Sequence, residues 1–151
     1  MINKKAVEIL DKQTREDIGE QINILVTVKN MPILEMKFVT DAIDTTIKGK
    51  RLLKNTYIFG YYMKDNEKKQ YFEHEQGILQ YWTEELHRYL IDDQLSMVIM
   101  EDNYTNFAEK LKNYKNSIYN IIESIEKYSK GLIDDIENNF LSEIDYKLLD
   151  E

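Results

Sequence analysis

Between Pro32 and Met63, apolar residues recur at Ile33, Met36, Val39, Ile43, Ile47, Leu53 and Tyr57 and then crowd at Phe59–Tyr61. The steps are mostly three or four, the spacing that puts side chains on one face of an α-helix. Pro32 suits the first helical turn, where its missing N–H has no partner to lose. A continuous helix here would run about 45–50 Å at 1.5 Å per residue. Toward Met63 the apolar residues occupy almost every direction around the axis, which predicts burial on most sides. The remaining segments have to pack along this helix.

They supply the partners. Val7, Leu10, Ile18, Ile22 and Leu25 trace one face of a first helix from Lys4 to about Val28, with Gly19 as its weak point. The run Ile22–Val28 is β-branched enough to pass for a strand, but it has no strand to pair with, so helix is the reading. The charged connector Lys64–Lys69 leads to a third helix from about Gln70 to Ile91, with Phe72, Ile78, Leu79, Trp82, Leu86 and Leu90 on its face and Asp92–Asp93 ending it. Gln94–Glu101 reads as a loop over the bundle end, its methionines filling irregular gaps. Asp102 or Asn103 can cap a fourth helix, striped by Phe107, Leu111, Tyr114, Ile118, Ile121, Ile122, Ile125 and Tyr128. It passes Gly131 to about Asn138, and the tail can form a short closing helix. The expectation is an all-α, antiparallel bundle of about four long helices, one domain over 1–151. Five glycines and one proline in 151 residues fit that class better than a β fold.

Composition then limits function. A formal charge of −8 opposes sequence-independent nucleic-acid binding, which needs surplus Lys and Arg, and docking on anionic membranes. With no cysteine, this stretch has no disulfide, thiolate metal site or cysteine nucleophile. No apolar run approaches the roughly 20 residues of a membrane span, and Met1–Lys5 does not begin a signal peptide. The expected setting is cytoplasmic, with the nucleus also open.

A catalytic constellation is missing as well. His74, in Phe72-Glu73-His74-Glu75, lacks the second histidine four residues on that a zinc-binding helix needs. His87 lies thirteen residues later, roughly 220° around the axis, so the two read as solvent-facing or capping residues. The doublets Glu84–Glu85, Asp92–Asp93 and Asp134–Asp135 diverge by about 100° and read as solvated surface. Trp82 and the eleven tyrosines follow helical spacing and read as core. No catalytic, cofactor-binding or metal-binding residue is assigned. From the residues alone, the chain is a helical interaction or regulatory module, with a free-standing scaffold unrelated to any enzyme as the other reading.

One stretch is more specific. Thr56-Tyr57-Ile58-Phe59-Gly60-Tyr61-Tyr62-Met63 resembles the T-Y-x-[FY]-[GA]-[FY]-Y-L pattern of the Ariadne domain, the C-terminal helical module of Ariadne-type RING-between-RING (RBR) E3 ubiquitin ligases. Phe72-Glu73, Gln76, Thr83-Glu84-Glu85-Leu86 and Tyr89-Leu90 continue the match, which covers about residues 30–92. The resemblance implies a domain that folds back on RING2 of its parent ligase, masks the catalytic cysteine, and is released by a partner such as a neddylated cullin–RING ligase. It places the zinc and the cysteine in the RING and IBR domains of the parent, so transfer chemistry is not expected from this stretch. In the matched T-E-x-L, Glu84 corresponds to an acidic residue facing RING2. The family's other inhibitory contacts lie near the start of the first helix, where this sequence offers no residue-level match.

Overall fold

The computed structural model describes residues 4–91 and 94–149, without the side chains of 4–11, Thr14 and Leu149. Among the described residues there are four long helices and no strand: α1 (Lys4–Thr27), α2 (Lys37–Tyr61), α3 (Glu67–Ile91) and α5 (Tyr104–Asp135). Two short helices, α4 (Gln94–Ile99) and α6 (Tyr146–Leu149), complete the set. The expected ends at Asp92–Asp93, and the contributions of Val7 and Leu10 to the α1 face, lie outside the described residues or side chains.

The inner layer is α2, α3 and α5. Gly49 meets Thr83, and Gly60 meets Phe72, so α2 and α3 run antiparallel. The Tyr114 hydroxyl donates to the Tyr89 carbonyl at 2.8 Å, while Phe72 and Phe140 stack edge-on at 5.7 Å, so α3 and α5 are antiparallel too. α1 lies outside, burying Ile18 and Leu25. The strand-like run at Ile22–Val28 is helical to Thr27, because its period-four face has a core to meet and its backbone has no ladder to join. Asn30, at φ 57°, then turns the chain in the left-handed region that Asn tolerates.

Several boundaries differ from the sequence reading. Pro32 precedes a single 3₁₀ turn, Ile33–Met36, and the α-helix proper starts only at Lys37. α3 starts three residues earlier than expected, because the Asn66 side chain accepts from the backbone N–H groups of Lys68 and Lys69 and caps the helix. Asn103 caps α5 through Asn106 as anticipated. α5 passes Gly131 and ends at Asp135 in a π-turn, Ile136–Phe140, that swings Phe140 into the core.

Gln94–Ile99 is a helix and not a loop. It buries Leu95 and Val98, and the methionines expected as filler point outward, Met97 being 66% and Met100 76% exposed. The crowded end of α2 is also less buried than its composition implied. α3 and the tail cover part of its circumference, which leaves Ile58 partly and Tyr61 largely in solvent. The tail itself straps the α2–α3 turn. Lys64 N–H donates to the Glu143 carbonyl at 2.7 Å and Asp145 N–H to that of Tyr62 at 2.6 Å, forming an isolated antiparallel bridge between Met63 and Ile144.

Candidate functional site on the α2–α3 seam

The residues that stood out in the sequence divide into two sets on this seam. One set packs. Thr56 and Gln76 are both buried, and the Gln76 amide donates to the Thr56 hydroxyl at 3.0 Å, which in turn donates to the Leu53 carbonyl at 2.8 Å. A Cβ built on Gly60 would sit 3.1 Å from Phe72 Cε1, and one on Gly49 only 2.8 Å from Thr83 Oγ1. These are close approaches that a larger residue would oppose. Leu53, Leu79, Leu86 and Leu90 fill the rest of the joint.

The other set faces out. Tyr57 donates its hydroxyl to Gln80 Oε1 across the helix–helix gap, and Gln80 Nε2 donates to Glu84 Oε1 at 2.9 Å one turn further along α3. The relay supplies one donor to the exposed Glu84 carboxylate and leaves acceptor capacity on it. Burial, and then the charge of Glu84, push the Tyr57 hydroxyl above its ordinary pKa, so it stays a donor. Tyr61 and Tyr81 are exposed beside this relay, at 64% and 57%.

One turn beyond Glu84, the Lys50 ammonium lies 2.9 Å from His87 Nδ1. An ammonium only donates, so Nδ1 accepts and the ring proton sits on Nε2. Burial, followed by Lys50, lowers the pKa of His87 and keeps it neutral. The sequence reading of His87 as solvent-facing is therefore corrected, whereas His74 is exposed. The Glu84–Glu85 doublet diverges as expected: Glu85 pairs with Arg88, whose hydrogen bond lowers the Glu85 pKa. The aromatic residues do not all join the core. Tyr114 is buried and burial raises its hydroxyl pKa, but Tyr61, Tyr71, Tyr81, Tyr104 and Tyr146 are exposed.

Sequence reasoning missed one further pair. Glu75 on α3, itself half-buried, faces Asp135 on α5, sixty residues away, and its buried Oε2 has no hydrogen-bond partner among the described residues. Burial raises its pKa first, with Asp135 adding to the rise and the Tyr71 hydroxyl opposing it. Among the described residues, no three His, Asp or Glu side chains converge in a way that could hold a metal ion. Among the described residues, no helix is long and apolar enough to cross a membrane.

An all-α bundle with a glycine-notched α2–α3 joint and an exposed carboxylate on α3 defines a class of helical modules. The sequence matches the profile of the Ariadne domain over residues 6–149, and the chain belongs to that family. Among similar proteins, the one named Probable E3 ubiquitin-protein ligase ARI7, of Arabidopsis thaliana, is 29% identical over 113 residues, 72% of this chain and 20% of the relative. E3 ubiquitin-protein ligase ariadne-1 of Drosophila melanogaster is 32% identical over 84 residues, 56% of this chain and 16% of its own. E3 ubiquitin-protein ligase ARIH1 of Homo sapiens is 29% identical over 110 residues, 72% and 20% respectively. The chain thus spans about a fifth of the length of these relatives. No solved structure is a significant match.

Proposed function

We propose that this domain regulates an RBR-type E3 ubiquitin ligase by lying over RING2 and covering its catalytic cysteine, with Glu84 as the anchoring contact. The observation that carries the reading is the Tyr57–Gln80–Glu84 relay, which presents a charged, partly hydrogen-bonded acceptor on an exposed stretch of α3. A carboxylate brought into an interface loses its hydration and needs donors in return, either backbone N–H groups or a basic side chain, in charge-assisted hydrogen bonds. A domain so placed shields the thiol from the incoming E2~ubiquitin conjugate. It is an inhibitor by occlusion and contributes no thiol nucleophile, since this stretch has no cysteine. The zinc of the assembly belongs to the RING and IBR domains of the parent. Release comes from a partner that competes for the same surface, such as a neddylated cullin–RING ligase.

The test adds this chain in trans to a ligase truncated before its own Ariadne domain and follows ubiquitin transfer. Transfer falls with increasing domain concentration, and Glu84→Ala weakens the effect roughly tenfold or more, the scale of losing one charged, desolvated hydrogen-bonding partner. Unchanged transfer at concentrations well above a weak intramolecular-type affinity of about 100 μM contradicts the reading.

A further inference from the structure

At the end of the bundle opposite the tail strap, the corner between α1 and α2 faces the start of α5 across a groove. It consists of two adjoining hollows of about 380 and 570 Å³ that share Met31, Glu35, Tyr104 and Phe107. Its two sides are tied to each other by direct contacts. The Lys29 ammonium donates to the Glu101 carbonyl at 2.7 Å and lies 5.0 Å over the Phe107 ring, and the Glu101 carboxylate takes Lys110 at 2.7 Å. A groove already built loses little ordering entropy when it is filled. Around it, Val28, Ile33, Leu34 and Tyr104 are all well over half exposed, a local excess of apolar surface that no element among the described residues covers.

The charges around the groove are polarised. Lys112 and Lys115 line one end, and among the described residues neither has a carboxylate at ion-pair distance, although Lys115 leans over Phe38 at 6.0 Å. Glu101 and Asp102 line the other end together with Lys29, whose ammonium is already engaged by the Glu101 carbonyl, and Glu35 lies between. Three carboxylates in the lining oppose a phosphate-rich ligand. The two lysines match a carboxylate placed beside an apolar side chain.

We propose that this groove docks an extended peptide segment of a partner protein, one that inserts a bulky apolar side chain against Met31 and Phe107 and lays an adjacent Asp or Glu on Lys112 and Lys115. The chain as a whole carries −8, so an acidic segment is repelled at long range and the lysine pair acts only within about one Debye length, roughly 8 Å at physiological salt. Binding is therefore driven by apolar burial, with the charges setting direction.

The probe is a fluorescein-labelled Gly/Ser-flanked peptide carrying Leu-Phe followed by two aspartates, titrated against this chain by anisotropy and by amide chemical shifts. Saturable binding is expected, with shifts centred on Met31, Tyr104, Phe107 and Ala108. Tyr104→Ala, and separately the pair Lys112→Glu with Lys115→Glu, weaken it roughly tenfold or more. These side chains are exposed or at the rim, and circular dichroism verifies that each variant retains its helix content. A peptide with lysines replacing the aspartates that binds equally well overturns the proposal, as does the absence of shifts at millimolar peptide. Concentration-dependent self-association abolished by Tyr104→Ala also overturns it, because the occupant is then a second copy.

Discussion

Thr56→Val and Gln76→Leu delete the same hydrogen bond but should not cost the same. Thr56 is 1% exposed and Gln76 6%, so water is absent from both ends of the 3.0 Å contact. Thr56→Val keeps the shape and removes the oxygen, leaving the Gln76 amide buried without its acceptor. An unsatisfied buried donor costs about 1–3 kcal/mol, offset in part by the added methyl, for a net loss of about 1–2 kcal/mol. In Gln76→Leu the Thr56 hydroxyl still donates to the Leu53 carbonyl, so nothing is orphaned, and the leucine adds apolar burial. That variant should lie within about 1 kcal/mol of the parent, and the double variant should be more stable than Thr56→Val alone. Urea denaturation followed by helix ellipticity reads all three. In a chain of this size, 1 kcal/mol moves Tm by about 2–4 °C. If Gln76→Leu is the more damaging substitution, or the double variant is no better than Thr56→Val, the cost does not come from an orphaned Gln76 donor.

Gly49→Ala should destabilise the parent despite the ~1 kcal/mol that alanine gains in a helix, because its Cβ would meet Thr83 Oγ1 at 2.8 Å; in a Thr83→Ala background the same change should stabilise, and chemical denaturation gives both signs. The raised pKa of Glu75 means the folded state holds its proton at a pH where the unfolded state has released it, so this group's contribution to stability is present at acid pH and is lost as pH rises through the folded pKa. Glu75→Gln should therefore melt higher than the parent at neutral pH, and the gap should close as pH falls to the ordinary glutamate range; a gap that is constant with pH refutes the assignment. Phe140→Ala removes a buried ring that packs on Phe72 and should cost about 3–5 kcal/mol, with faster amide exchange at Lys64 and Asp145 as the strap loosens.

The fold was readable wherever a helical period met a real core. The Tyr114–Ile118–Ile122–Ile125 stripe of α5 and the Asn103 cap follow from side-chain spacing and local hydrogen bonding, which act within a few residues. Met97 and Met100 were misplaced because residue type says what can fill a gap and not where the gap is. Ile58 and Tyr61 were misjudged because apolar crowding on a helix does not count how many neighbours are there to cover it. For the site, Gln80–Glu84 has readable i,i+4 spacing, but Tyr57–Gln80, Lys50–His87 and Glu75–Asp135 depend on the register between helices. For the two α2–α3 pairs that register goes with the close approaches of Gly49 to Thr83 and Gly60 to Phe72, which do not show in a one-dimensional pattern.

Accessibility of the RING2 cysteine tests the occlusion proposal most directly. In a full-length ligase carrying this domain, the rate of maleimide alkylation at that thiol should be slow, should rise when Glu84 is changed to Ala, and should rise less with Tyr57→Phe, which removes only the relay behind it. An alkylation rate equal to that of a ligase lacking the domain, with Glu84 intact, would contradict the proposal that this helix face covers the cysteine.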